Sequence, residues 1–160
     1  MQKKFLAILR IAMGWTFLWP FFDKLFGLSF STKPEGAWIN GGSPTYGFLT
    51  FGTRGPFAEF FQSLAGYIWL DWVFMLSLLL IGLALIFGVG IRLASFGATI
   101  WMISMYMAAS IPPEHNPFLD EHIVNLVIVL VLSVSNAGDT WGLGRWWNST
   151  KIVQKYKFLN

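Results

Sequence analysis

The sequence predicts an all-α integral membrane protein: a four-helix bundle with an extra interfacial or re-entrant helix in its long first outer loop. Hydrophobic residues make up 55% of the 160 positions and charged residues only 12%. A soluble domain carries about 25% charged residues. Four apolar stretches each approach the roughly 20 residues that a helix needs to cross a bilayer. The nine tryptophans are typical of aromatic rings that anchor spans at the membrane interface.

The four predicted spans lie in one membrane domain that covers the whole chain, 1–160. Only Ile91 and Arg92 separate the second span from the third, which predicts a tight helical hairpin. A tail at 139–160 follows the last span, and its tryptophans and basic residues indicate a surface anchor. The spans cover residues 5–26, 69–90, 93–111 and 118–137.

The extra helix is predicted within the outer loop, 27–67. Pro56 suits a first helical position and Gly66 a stop. Between them, aromatic and aliphatic residues recur at helical spacing, while Glu59, Gln62 and Ser63 fall on the opposite face. The stretch is too short to cross a bilayer, so we expect a helix that lies at the interface and packs on the bundle, with a substrate-gating role as the alternative.

The distribution of positive charge predicts the orientation. Of the 11 Lys and Arg residues, only Lys24, Lys33 and Arg54 fall on the side of the long loop. Positive charge concentrates on the cytoplasmic side of membrane proteins. Both termini are therefore predicted to be cytoplasmic, in a multi-pass protein of the cytoplasmic membrane.

Composition also excludes several kinds of chemistry. The chain has no cysteine and two histidines, so disulfides, thiol nucleophiles and thiolate-ligated clusters cannot form within it. We expect neither haem nor an iron–sulfur cluster in this chain. The sequence also lacks a phosphate-binding glycine loop and a Ser-His-Asp set. The basic clusters follow the membrane topology, so no nucleic-acid partner is expected.

Two cations in the first span are candidates for a functional path. Arg10 and Lys24 lie fourteen positions apart, so they share a helix face and are separated by about 21 Å. That face, with Gly14, Phe17 and Phe21, is predicted to point into the bundle. Two structural alternatives remain open. Arg10 could pair with Asp139 or with helix-end carbonyls, and Lys24, beside Asp23, could extend toward the surface.

The densest polar stretch is PPEHNPFLDEHIV, residues 112–124. Asn116 and Pro117 are predicted to start the fourth span as cap and first residue. Asp120 and Glu121 then lie near the first turn, where the helix dipole favours acids. The face that begins with His122 is predicted to point inward, because lipid would not solvate its amide and imidazole groups. Its further members are Asn125, Val129, Leu132 and Asn136.

This stretch could form one of four types of site. A haem held by His115 and His122 is disfavoured, because both lie on one short segment. A mixed His and carboxylate metal site fits no known spacing. A plain structural turn is the simplest alternative. A His and carboxylate pair that exchanges protons is favoured, and a quinone head group, with two carbonyls that take up protons on reduction, would suit it.

Six segments occur in an order that closely resembles the DoxX/DoxD membrane protein family. They are LRIAMGWTFLWPFFDKLFG, GAWINGGSPTYGF, GPFAEFFQSLAG, GLALIFGVGIRLASFGA, NPFLDEHIV and NAGDTWGLGRWW. The resemblance covers about residues 5–148 and implies a small four-helix membrane protein of prokaryotes. One branch of the family is the small subunit of thiosulfate:quinone oxidoreductase. Residues in the family motifs are Arg10, Trp15, Asp23, Lys24, Arg92, Asn116, Asp120, His122 and Asp139.

The leading hypothesis is a membrane subunit of a quinone-linked redox system, with thiosulfate as the donor implied by the resemblance. His122, with Glu121 or Asp120, would handle quinone protons, and Lys24 and Arg54 would attract the anion. The other candidate substrate-binding residues are Arg10, Asp23 and Asn125.

A partner subunit, in the membrane or outside it, would carry the electrons. The alternative is a non-catalytic accessory or assembly subunit of a larger membrane complex. It is supported by small residues such as Ala84 and Gly88, which allow close helix contacts. A homo-oligomer is compatible with the same surfaces.

Overall fold

The computed structural model describes residues 1–114 and 116–159. Within them the chain forms α-helices joined by turns, without a β-strand. The α-helices are α1 (Gln2–Phe26), α2 (Ala58–Gln62), α3 (Ile68–Phe87), α4 (Ile91–Ala109), α5 (Glu121–Val134), α6 (Gly144–Ser149) and α7 (Lys151–Lys155). Short 3₁₀ turns lie at Pro34–Gly36, Trp38–Asn40, Ala137–Asp139 and Lys157–Leu159, and a π-helical turn at Phe48–Gly52.

The predicted membrane bundle is confirmed. Helices α1, α3 and α4 are long and apolar enough to cross a membrane, and their many exposed apolar side chains indicate contact with lipid. The fourth predicted span, 118–137, is too long. Helix α5 has only 14 residues, about 21 Å at 1.5 Å per residue, so it is shorter than the roughly 30 Å hydrocarbon core.

The predicted start of this helix at Asn116 and Pro117 is wrong. The Asn116 side chain instead accepts hydrogen bonds from the backbone N–H groups of Phe118 and Leu119, both at 3.0 Å. This closes a local turn, a frequent alternative use of an Asn side chain. The cap is Asp120, whose Oδ1 accepts from Ile123 N at 3.1 Å.

Helices α1 and α3 pack antiparallel with very little space between their backbones. A Cβ added to Gly14 would lie 2.7 Å from Ile86 Cγ1. One added to Gly82 would lie 2.9 Å from Leu18 Cβ. Such small residues permit close helix approach in a membrane. Helix α5 packs mainly on α4 and completes the bundle.

The bundle has two ends of different character. The basic end contains the start of α1, the α3–α4 hairpin and the tail. The loop end contains the end of α1, the long loop and the start of α5. The core between them includes Phe17, Met75, Leu85, Val129 and Leu132.

The predicted inward face of α1 is confirmed. Arg10, Gly14, Phe17 and Phe21 are buried, and Lys24 is half-buried near the loop end. The corresponding face of α5 is confirmed only in part. Its middle residues, Val129 and Leu132, are 0% and 1% exposed. Asn136 is exposed and lies past the helix end with φ 49°, because α5 stops two residues earlier.

The long loop contains the extra helix, but that helix is shorter than predicted. Helix α2 begins at Ala58, directly after Phe57, so Pro56 precedes the helix and is not its first residue. Gly66, with φ 89°, ends the following turns. Phe60, one of the aromatic residues at helical spacing in this stretch, is 61% exposed, so the apolar face of α2 is only partly packed.

Candidate functional site

The central feature of the loop end is a carboxylate–imidazole pair at the start of α5. Asp120 Oδ2 lies 2.6 Å from His122 Nδ1. The side chains are 13% and 23% exposed, respectively, so water reaches the pair only partly. The pair forms because Asp120 caps the helix, which turns its second oxygen toward the residue two positions further on.

Several donors meet on Asp120. Burial alone would raise the pKa of this carboxyl group. Hydrogen bonds from Ser110, from His122 and from the backbone of Ile123 outweigh that cost and hold the pKa below its ordinary value. Asp120 is therefore a carboxylate at neutral pH, able to accept the Nδ1 proton of His122.

This arrangement leaves the other imidazole nitrogen for chemistry. No described residue forms a hydrogen bond with Nε2 of His122. Asn125, one turn along α5, is half-buried, and Glu121 is exposed. The carboxylate partner of the imidazole is therefore Asp120, which resolves the two choices the sequence left open.

Arg54 is bound to the end of α4. Its side chain forms an ion pair with Glu114 and donates to the carbonyl of Ala109. Its backbone N–H donates to Ala108 O at 2.8 Å. The predicted anion-attracting cation thus also ties the long loop to α4, and Glu114 compensates its charge.

Asp23 and Lys24 are adjacent in sequence but have different surroundings. The Asp23 carboxylate accepts from Ser31 N at 2.9 Å, Ser31 Oγ at 2.6 Å and Phe30 N at 3.1 Å, which closes the turn after α1. Lys24 Nζ lies 5.9 Å from the ring centroid of Phe74. Among the described residues Lys24 forms neither a hydrogen bond nor an ion pair with His122, so the structure does not join them directly.

Arg10 lies at the opposite end and is completely buried, with 0% exposure. Its guanidinium donates to Ile86 O at 2.6 Å, Trp141 O at 2.9 Å, Ala137 O at 3.2 Å and Thr140 O at 3.4 Å, and also to Leu85 O. Of the two structural partners considered for Arg10, the helix-end carbonyls are confirmed. The described residues contain no ion pair between Arg10 and Asp139.

Small residues make room for this guanidinium. A Cβ on Gly142 would lie 3.1 Å from Arg10 Nη2 and 2.6 Å from Gly138 O. Gly142 of the NAGDTWGLGRWW segment therefore belongs to the Arg10 site. Arg10 joins the end of α3 to the chain that follows α5.

His115, a candidate haem or metal ligand by sequence, lies outside the described residues. Within 1–114 and 116–159 there is no group of three or more His, Asp or Glu side chains that could hold a metal ion.

Two structural residues escaped the sequence analysis. Asp71, in the first turn of α3, is 6% exposed and accepts from Thr45 Oγ1 at 2.6 Å, Thr45 N at 3.0 Å and Ser43 Oγ at 2.9 Å. Ser110, also buried, donates to Asp120. An acid inside an apolar run was a usable signal for Asp71, whereas nothing local pointed to Ser110.

Comparisons with known proteins place the chain in a family but do not give it a reaction. Neither the curated proteins nor the solved structures contain a significant match to this sequence. The sequence model of the DoxX family matches residues 5–110, which include α1, the long loop, α3 and α4. The chain therefore belongs to the DoxX family of membrane proteins.

Proposed function

We propose that the protein is a membrane subunit of a quinone-linked redox system and that the Asp120–His122 pair exchanges protons with the quinone. The observation that supports this most directly is the 2.6 Å contact between Asp120 and Nδ1 of His122. It leaves Nε2 as the nitrogen that can give or take a proton.

The chemistry follows from the hydrogen-bonding pattern. Reduction of a quinone to a quinol takes two electrons in total and two protons, one for each carbonyl oxygen. With Asp120 accepting from Nδ1, a protonated His122 donates its Nε2 proton to one carbonyl oxygen and becomes neutral. Solvent at the loop end then returns a proton to Nε2 and supplies the proton of the second carbonyl oxygen. In this proposal a partner subunit supplies the electrons, and this chain contributes the proton transfer.

The donor follows from the family resemblance, which suggests a sulfur oxyanion such as thiosulfate. Lys24 is the residue best suited to attract it. It lies half-buried at the loop end, 5.9 Å from the ring centroid of Phe74, and among the described residues its three ammonium donors have no hydrogen-bond acceptor. Arg54 is less suited, because Glu114 already compensates its charge.

The cellular setting belongs to the same proposal. With the basic end on the cytoplasmic side, the loop end faces the outside of a prokaryotic cytoplasmic membrane. The Asp120–His122 pair and Lys24 are then accessible to an extracytoplasmic partner and to a soluble oxyanion.

The test is thiosulfate-dependent quinone reduction by the purified complex. His122→Asn should lose most of the turnover, and Asp120→Asn should lower it and shift its pH profile, because the partner of Nδ1 changes. Glu59→Gln is a matched control: it changes an exposed acid on α2 at the same end. Turnover that His122→Asn leaves unchanged would refute the proposed role.

A second candidate is a non-catalytic accessory or assembly subunit. It is favoured by the fact that three predicted substrate residues, Arg10, Asp23 and Arg54, have their polar groups engaged by the chain itself. On this alternative the chain is found only within a larger assembly. The assembly then keeps its activity when His122 and Lys24 are both replaced.

A further inference from the structure

A cavity at the basic end contains charged groups that the fold does not use. It has a volume of about 130 Å³, several times the roughly 30 Å³ that a water molecule occupies in the liquid. It lies between the first turns of α1 and the segment that follows α5. Its lining includes Lys3, Leu6, Asn136, Asp139, Thr140 and Arg145.

The three charged residues of this cavity are free to bind a ligand. Among the described residues neither Lys3, Asp139 nor Arg145 forms a side-chain hydrogen bond or an ion pair. The two cations and one carboxylate give the cavity a net charge of +1. By contrast, the guanidinium of Arg10 is occupied by carbonyls that include Ala137 O and Thr140 O, and both of these residues line the cavity.

Two exposed tryptophans indicate the level of the cavity in the membrane. Trp141 and Trp146 lie at the same end and are 59% and 60% exposed. Exposed tryptophans concentrate where the hydrocarbon meets the head groups. The cavity therefore opens at head-group level, and Leu6 and Ala137 provide an apolar part of its lining.

We propose that this cavity binds the head group of an anionic membrane lipid whose phosphate is linked to a hydroxyl-bearing group, as in phosphatidylglycerol. The phosphate lies between Lys3 and Arg145, since a guanidinium matches phosphate oxygens with paired donors. The head-group hydroxyls donate to Asp139, which cannot itself bind a phosphate anion. A lipid of charge −1 then neutralises the cavity. A zwitterionic lipid would not.

The experiment measures the thermal unfolding midpoint of the full chain in neutral detergent during titration with a short-chain lipid. Dihexanoyl phosphatidylglycerol should raise the midpoint and saturate. Dihexanoyl phosphatidylethanolamine and inorganic phosphate should not. A cation near a lipid surface contributes about 1 kcal/mol, so Arg145→Gln and Lys3→Gln should each raise the half-saturating concentration about fivefold.

Two further variants keep the test specific. Lys151→Gln removes the same charge from an exposed position at the same end but outside the cavity, and it should leave the half-saturating concentration unchanged. Asp139→Asn keeps an oxygen acceptor and removes a negative charge, so it should bind phosphatidylglycerol at least as well. An equal effect of Lys151→Gln and Arg145→Gln would overturn the proposal in favour of diffuse surface attraction. A response to inorganic phosphate or to phosphatidylethanolamine that equals the response to phosphatidylglycerol would also overturn it, as would loss of binding in Asp139→Asn.

Discussion

The two ends of the bundle are each held together by buried charged side chains, and the charges have opposite signs. Helices α3 and α5 both begin at the loop end and finish at the basic end. Their last carbonyls and first N–H groups lack partners within the helix. At the basic end one cation, Arg10, gathers carbonyls from the end of α3 and from the chain after α5. At the loop end Asp120 accepts from a first-turn N–H of α5, whereas Asp71, in the first turn of α3, accepts from Thr45 of the long loop.

The difference separates a structural site at the basic end, Arg10, from the proposed proton-transfer site at the loop end. Each placement agrees with the helix dipole, which favours cations at C-termini and anions at N-termini. Arg10 is always charged and fully enclosed, so it can only stabilise. Asp120, in contrast, is hydrogen-bonded to the imidazole of His122, a group that can both donate and accept a proton. The loop end is therefore where proton transfer is expected, although both ends carry residues of the family motifs.

The largest expected effect is at Arg10. Arg10→Met leaves several buried carbonyls without donors, and each costs about 1–3 kcal/mol. The free energy of unfolding should fall by more than about 3 kcal/mol, seen as loss of folded protein or a much lower unfolding midpoint in detergent. Arg92→Met, an exposed change at the same end, is the control. Equal stability of the two variants would contradict the structural role of Arg10.

The counterpart at the loop end is Asp71. Asp71→Ala removes the acceptor for Thr45 N and for two hydroxyls. Hydrogen bonds to a charged group contribute about 1.5–3 kcal/mol, and we expect a loss of stability in that range, with faster proteolysis of the long loop. Glu59→Ala, which changes an exposed acid in the same loop, should have little effect. Unchanged proteolysis of Asp71→Ala would show that the carboxylate does not hold the loop.

Gly82, between the two ends, tests how closely α1 and α3 pack. Gly82→Ala places a methyl group 2.9 Å from Leu18 Cβ, and such overpacking costs about 1–3 kcal/mol. Gly47→Ala makes the same change where no heavy atom lies within 4 Å. Thermal unfolding of the two variants should differ clearly. Equal midpoints would mean that α1 and α3 do not pack this closely.

The smallest expected effect is on pH dependence at Asp120. Its pKa is lower in the folded protein than in the unfolded chain. The resulting stabilisation is fully present above the ordinary aspartate pKa of about 4 and is lost as pH falls toward the lower folded value. Unfolding measured from pH 6 downward should therefore be less pH-dependent in Asp120→Asn than in the natural protein. Identical slopes would contradict the proposed hydrogen bonding.

The sequence predicted the parts of the fold that depend on composition and periodicity. The long apolar runs gave α1, α3 and α4 within three residues at each end, and the helical spacing of Arg10 and Phe17 gave the inward face. The predicted start of the fourth span failed because local hydrogen bonding decided it. Asn116 uses its amide in a turn, and Asp120, four positions later, caps the helix.

The site was predicted only in part, for a similar reason. The spacing of Asp120 and His122 suggested a pair, whereas Glu121 was an equal candidate until the cap placed the Asp120 carboxylate beside the imidazole. The carbonyls around Arg10 come from two segments far apart in sequence, the end of α3 and the chain that follows α5. No local pattern reveals which backbone oxygens will meet, so the choice between Asp139 and helix-end carbonyls needed the structure.

The most direct test of the central claim, that proton chemistry occurs at the loop end and not at the basic end, is quinone binding by the chain in lipid nanodiscs. A short-chain ubiquinone analogue and a menaquinone analogue would be titrated against the natural protein, His122→Asn and Glu59→Gln. Loss of a hydrogen bond worth about 1.4 kcal/mol should raise the half-saturating concentration about tenfold in His122→Asn, with Glu59→Gln unchanged. Equal quinone affinity in all three proteins, or no binding by any of them, would contradict the account.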